Sequence, residues 1–113
     1  MINQSLINPQ SIVVIGGSDN IKKPGGKVLK NIIDGGFAGK LLVVNQKESS
    51  VQGLTCLPSV DEIDDVDMAI ISIPAMFCPQ VVHTMATSKG TRAIIILSAG
   101  LVDAGAGVTL WVR

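Results

Sequence analysis

The residues that could do chemistry in this chain are small and polar, and they stand at a few fixed places. Gly16-Gly17-Ser18 follows the β-branched run Ile12-Val13-Val14-Ile15, and Pro24-Gly25-Gly26 comes soon after. Glycines at 16 and 17 let the backbone turn sharply and let a ligand come close. Pro24 opens a helix, where its missing N–H costs nothing. A glycine loop running into a helix N-terminus offers free N–H donors and a positive dipole end, which is a phosphate cradle in outline. The tight G-x-G-x-x-G spacing of dinucleotide sites is not met, because Gly25 comes too late. Taken alone, the loop also reads as a glycine-rich turn without a ligand.

Three further places resemble it. Val44-Asn45-Gln46-Lys47, Ile73-Pro74-Ala75 and Ser98-Ala99-Gly100 each follow an apolar run and are small, polar or proline-shaped. A nicotinamide site wants Asp or Glu after the second strand, to accept from the ribose hydroxyls. This chain has Asn45 and then Lys47. A cation there suits a phosphate on the ribose, as in NADP or coenzyme A. The plain alternative is an exposed lysine.

Nothing comparable points to catalysis. His83 is the only histidine, and it falls in a helix, away from these loops. Cys56 and Cys78 have no neighbouring His or Asp pattern that would activate a thiol. No cluster has metal-ligand spacing. Asp64, Asp65 and Asp67 form a small acidic group that reads as a solvated loop before a strand.

The elements that must hold these loops follow from hydrophobic patterning. Strands are expected at 11–15, 40–45, 54–57, 68–73 and 92–97, and helices at 24–34 and 79–88. In the first helix Val28, Leu29, Ile32 and Ile33 form the apolar stripe, and Gly35-Gly36 ends it. Ser59 to Glu62 has the signature of a capped single turn. Alternating apolar strands and helices predict an α/β fold, a doubly wound parallel sheet of about five strands with helices on both faces. Ligands of such sheets bind beyond the carboxyl ends of the strands, where the strand order reverses. The four loops lie on that rim.

The chain has 113 residues, which fits one domain, and is 47% hydrophobic, enough to bury a core. Its mean hydropathy is +0.48. Nine basic and nine acidic residues cancel, so nothing suggests nucleic acid or a membrane surface. Trp111, Phe37 and Phe77 are the only aromatic residues, too few for a base-stacking platform. No apolar run reaches membrane-spanning length. Residues 1–10 lack the basic start and apolar core of a secretory signal. Two unpaired cysteines predict reduced thiols in a cytoplasmic protein. Self-association is left open.

The ordered motifs from Pro9 to Ser18, Gly25 to Asn31, Gly36 to Lys47, Val66 to Ala75 and Ser98 to Gly100 resemble the N-terminal CoA-binding domain of the NDP-forming acyl-CoA synthetases. That group includes ADP-forming acetate–CoA ligase, with the succinyl-CoA synthetase α subunit as a relative. The resemblance runs from about residue 8 to about residue 103. It implies a Rossmann-like domain for coenzyme A occupying 1–113, the N-terminal part of a longer ligase that makes acyl-CoA, ADP and phosphate from ATP. By the match, Gly16, Gly17, Ser18 and Gly25 would hold phosphates, and Asn45 and Lys47 would meet the adenosine end. Ile73, Pro74 and Ala75 would line the adenine and pantetheine path. Ser98, Ala99 and Gly100 would lie near the thiol. The phosphohistidine and ATP-grasp parts belong to downstream domains or a partner subunit, so this chain is expected not to be catalytic by itself. A stand-alone regulatory CoA-binding module, an NAD(P)-binding domain and a fusion to an acetyltransferase are the alternatives. The family usually has Ala at Gly17, Pro at Gln46 and Glu at Asp103. The acidic helical continuation expected after Asp103 is missing.

Overall fold

A computed structural model describes residues 9–99 and 106–112. The chain runs β1 (Ser11–Ile15), α1 (Pro24–Asp34), β2 (Lys40–Val44), β3 (Ser50–Val51), β4 (Leu54–Leu57), β5 (Met68–Ile71), α2 (Cys78–Ser88), β6 (Ala93–Ala99) and β7 (Ala106–Val112). Single 3-10 turns span Val60–Glu62 and Ala75–Phe77. The sheet has seven strands in the order β3-β4-β2-β1-β5-β6-β7. Its five central strands are parallel, as the alternation of elements predicts, and α1 has the bounds expected of it. The two strands beyond the expected five are antiparallel edges: β3 pairs with β4, and β7 with β6. The residues after Asp103, where the resemblance implied a helix, thus include a strand.

The β-branched run of β1 is covered on both faces. Val13 and Ile15 join a core with Met85, Val81 and Val82 of α2. Val14 joins Leu29 of α1, while Ile12 has Val28 and Ile32 packed around its cluster. Strand residues alternate between faces, so one apolar run serves two helices. Ile33, assigned by spacing to the buried stripe of α1, is instead 39% exposed. It lies at the edge of the stripe, beyond Leu29 and Ile32. Gly35 stays right-handed at the helix end, and Gly36 takes the left-handed turn at φ +74°.

Asp67 is more than a solvated loop residue. Its Oδ2 accepts from Gln10 N at 2.8 Å, and its own N–H donates to Ser11 Oγ at 2.9 Å. It ties the start of β1 to the start of β5, at the amino edge of the sheet.

Among the described residues, Thr91 Oγ1 is the buried side-chain polar atom left without a hydrogen-bond partner, and Thr91 has no exposed surface. A buried hydroxyl without a partner costs free energy. Thr91→Val is therefore expected to stabilise the fold by about 1 kcal/mol. A higher urea midpoint at unchanged slope checks this; a lower midpoint would mean that the hydroxyl has a partner.

Among the described residues, no helix is long and apolar enough to cross a membrane. No group of three or more His, Cys, Asp or Glu among them could hold a metal ion.

Candidate functional site

Strand order reverses between β1 and β5. From β1 the chain moves out to β2 and β4, then returns to lay β5 on the other side of β1. The register puts Ile15 level with Val44 and with Ile71, and Ile71 level with Ile96. The segments after these residues therefore share one rim, the carboxyl edge of the parallel strands. Gly16 N donates to Val44 O at 2.9 Å, and Ser72 N donates to Ile15 O at 2.8 Å. These bonds bind the three central rims together.

A cleft of about 510 Å³ opens there. Ile15, Gly16, Val44, Lys47, Ile73 and Pro74 line it. Residues that the sequence did not mark as site candidates line it too: Pro58, Ser59, Val60 and Asp61, at and just before the first 3-10 turn, and Gln80, Val81 and Thr84 from α2. Ser59 caps that turn by accepting from Asp61 N at 3.1 Å, as its spacing predicts. The cleft is mainly apolar, with a lysine and an aspartate in its lining. A volume of this size suits a nucleotide-sized ligand.

Of the sequence candidates, Gly16, Lys47, Ile73 and Pro74 line this cleft; Gly17, Ser18, Gly25 and Asn45 do not. These four frame it instead. Gly16 has φ +91°, and a Cβ there would lie 2.0 Å from Ser72 O. Gly25 brings the first turn of α1 against the loop, for a Cβ there would lie 2.2 Å from Gly16 O. Gly17 is buried, and a Cβ would meet Val43 Cγ1 at 2.7 Å. Val43 thus fills the place that the family's usual alanine would take. Ser18 Oγ accepts from Asn20 N, and Asn20 Oδ1 from Lys22 N, each at 3.0 Å. These bonds shape the excursion between the two glycine pairs.

Asn45 is a bracket. Its Nδ2 donates to Gly17 O at 2.9 Å, while its Oδ1 accepts from Lys47 N at 2.7 Å and from Glu48 N at 2.9 Å. One side chain therefore joins the glycine loop to the loop that carries Lys47. Ala75 opens the second 3-10 turn, but its side chain lies outside the described residues. So do the side chains of Ser98 and Ala99, whose backbones extend β6 past Ile96 on the same rim. Gly100 lies outside the described residues altogether.

The N-terminus of α1 is open. Its cap residue is Lys23, no side chain caps it, and no acidic residue stands in its first turn. The first N–H groups of a helix have no partner within it. An uncapped start beside a glycine loop favours an anion.

The histidine and the cysteines do not line the cleft. His83 is exposed on α2, beside the lining residues Gln80, Val81 and Thr84 but not among them. Both cysteines are free and buried. Burial pushes the Cys78 thiol above its ordinary value; burial does the same for Cys56, with the Asp19 and Glu48 charges adding to it. Thiols held protonated in this way are poor nucleophiles.

The CoA binding domain family matches residues 10–107. The ADP-forming acetate–CoA ligase II of Archaeoglobus fulgidus is 39% identical over 103 residues, which cover 90% of this chain and 15% of that protein. The alpha subunit of the ADP-forming acetate–CoA ligase I of Pyrococcus furiosus is 40% identical over 107 residues, covering 90% of this chain and 23% of that subunit. Among solved structures, an acetyl-coenzyme A synthetase 1 of Ca. Korarchaeum cryptofilum, in complex with phosphate and ADP, matches with TM-score 0.72 and 33% identity. That match covers 79% of this chain and 19% of the other. The chain spans less than a quarter of the length of these relatives.

Proposed function

The chain belongs to the CoA binding domain family, and from that premise we propose that its carboxyl-edge cleft seats the adenosine end of coenzyme A. The observation that carries the proposal is the convergence of Gly16, Lys47, Ile73 and Pro74 on one cleft at the strand-order reversal. Lys47 meets the 3′-phosphate as a point charge. The apolar lining of Ile15, Val44 and Ile73 takes the flat face of the base. The glycine loop and the uncapped start of α1 receive the diphosphate. Pantetheine then runs along the rim toward the end of β6, where Ser98, Ala99 and Gly100 stand in the sequence.

The donor set fits this ligand better than a nicotinamide cofactor. The end of β2 offers Asn45 and Lys47 rather than an acid for the ribose hydroxyls, and the Oδ1 of Asn45 is already engaged by two backbone N–H groups.

In the larger reading, this chain is the CoA-holding part of an ADP-forming acyl-CoA ligase. Coenzyme A supplies the thiol that takes an acyl group from an acyl phosphate, releasing phosphate. This chain orients the carrier by its adenosine and diphosphate and leaves the thiol end at the rim. The phosphohistidine and ATP-grasp parts, with the choice of acyl group, lie in the remainder of such a ligase.

Calorimetry tests the ligand directly. Coenzyme A is expected to bind and to raise the melting temperature, with NAD binding more weakly or not at all. Tighter binding of NAD than of coenzyme A would overturn the proposal.

A further inference from the structure

The hairpin between β3 and β4 turns on Gln52 and Gly53, since Val51 pairs directly with Leu54. Both loop residues are left-handed, at φ +49° and +82°. Two-residue hairpins with positive φ at both positions favour Asn-Gly, Asp-Gly or Gly-Gly. Glutamine at the first position breaks that rule, and a left-handed residue with a full side chain carries strain. Among the described residues, Gln52 is the one non-glycine with positive φ.

The side chain does something that the favoured residues could not. Gln52 Nε2 donates to Ser18 O at 2.8 Å and to Gly26 O at 3.0 Å. Its backbone N–H donates to Asp19 Oδ1 at 2.6 Å. These bonds cross 34, 26 and 33 residues of chain. They hold both ends of the glycine loop: the residue after Gly17 and the first turn of α1. The bond to Asp19 also engages the only carboxylate in a loop that must accept an anion. An asparagine would suit the turn better, but it is one methylene shorter.

We infer that Gln52 is a positioning residue for the diphosphate of coenzyme A, with the β3–β4 hairpin bracing the phosphate loop from behind; this rests on the CoA reading above. Gln52 itself touches no ligand. It fixes the spacing between the loop and the N-terminus of α1, and so the aim of the N–H groups that would receive the phosphates. Strain at the turn is retained because the same residue organises the loop.

The test uses Gln52→Asn and Gln52→Gly, each of which relaxes the turn while removing the reach of the amide. Binding of coenzyme A is compared with binding of adenosine 3′-monophosphate, which keeps the base and the 3′-phosphate but lacks the diphosphate. Both variants are expected to keep the wild-type melting temperature or exceed it. Their affinity for coenzyme A is expected to fall about tenfold, with little change for the monophosphate. Equal losses for the two ligands, or unchanged coenzyme A affinity, would overturn the role of Gln52. Failure of the wild-type protein to bind coenzyme A would overturn the reading beneath it, and this role with it.

Discussion

Gly16→Ala is expected to abolish ligand binding and to remove a large part of the fold's stability. Two independent costs meet at this residue. The first is backbone: φ +91° lies where an L side chain is strained. The second is steric: the added Cβ would stand 2.0 Å from Ser72 O and 2.8 Å from Ser72 C, both backbone atoms. Ser72 cannot retreat without loss, because its N–H donates to Ile15 O at 2.8 Å across the strand-order reversal. Gly25 closes the other side, its missing Cβ leaving room for Gly16 O. Strain of about 1–3 kcal/mol and overpacking of a similar size add to several kcal/mol. That is a large share of the total stability of a domain, about 5–15 kcal/mol.

Gly36 separates the two terms. It also has positive φ, at +74°, but a Cβ there would meet nothing within 4 Å. Gly36→Ala is therefore expected to pay only for the left-handed backbone, about 1–2 kcal/mol. Urea denaturation of the two variants side by side measures the difference. Equal losses would mean that the Ser72 contact relaxes freely and that Gly16 is simply a turn glycine.

These glycines also show how far the sequence could be read. Their spacing fails the tight fingerprint, yet they divide its tasks. Gly16 makes the turn, Gly17 lies against Val43 and Leu29, and Gly25 lets the helix approach. The excursion from Ser18 to Lys23 lengthens the loop without changing those tasks. The unbroken run Ile12 to Ile15 was legible because a central parallel strand must be apolar on both faces. The rest of the cleft lining was not. Asp61, Gln80 and Thr84 come to the rim only because α2 packs on the same sheet face as the capped turn, a tertiary fact with no local mark. Gln52 was not legible for a related reason. Glutamine is not a hairpin signal, and its value lies in carbonyls far along the chain. The strand Ala106–Val112 depends on β6 as its partner, so its identity is also non-local.

Lys47→Glu is expected to weaken coenzyme A by about thirtyfold while leaving dephospho-coenzyme A within about threefold of wild type. The family resemblance puts proline at position 46, which would stiffen this turn, whereas this chain has Gln46. Asn45 replaces that stiffness: its Oδ1 accepts from Lys47 N and Glu48 N, and its Nδ2 holds Gly17 O. The loop is thus fixed to the glycine loop, and Lys47 reaches the cleft from a set backbone. Reversing its charge removes one attraction to the 3′-phosphate and adds one repulsion. Lys47 is exposed, so each is worth about 1 kcal/mol. Dephospho-coenzyme A lacks that phosphate and keeps every other contact, so it isolates the term. Lys40→Glu is the control, since it makes the same charge change at the opposite end of β2. Four strand steps put it about 13 Å away, beyond the roughly 8 Å Debye length at physiological salt. Its effect on either ligand is expected to be slight. Parallel losses of both ligands in Lys47→Glu would detach this lysine from the ribose phosphate. They would also remove the charge argument that separates coenzyme A from a nicotinamide carrier at this rim.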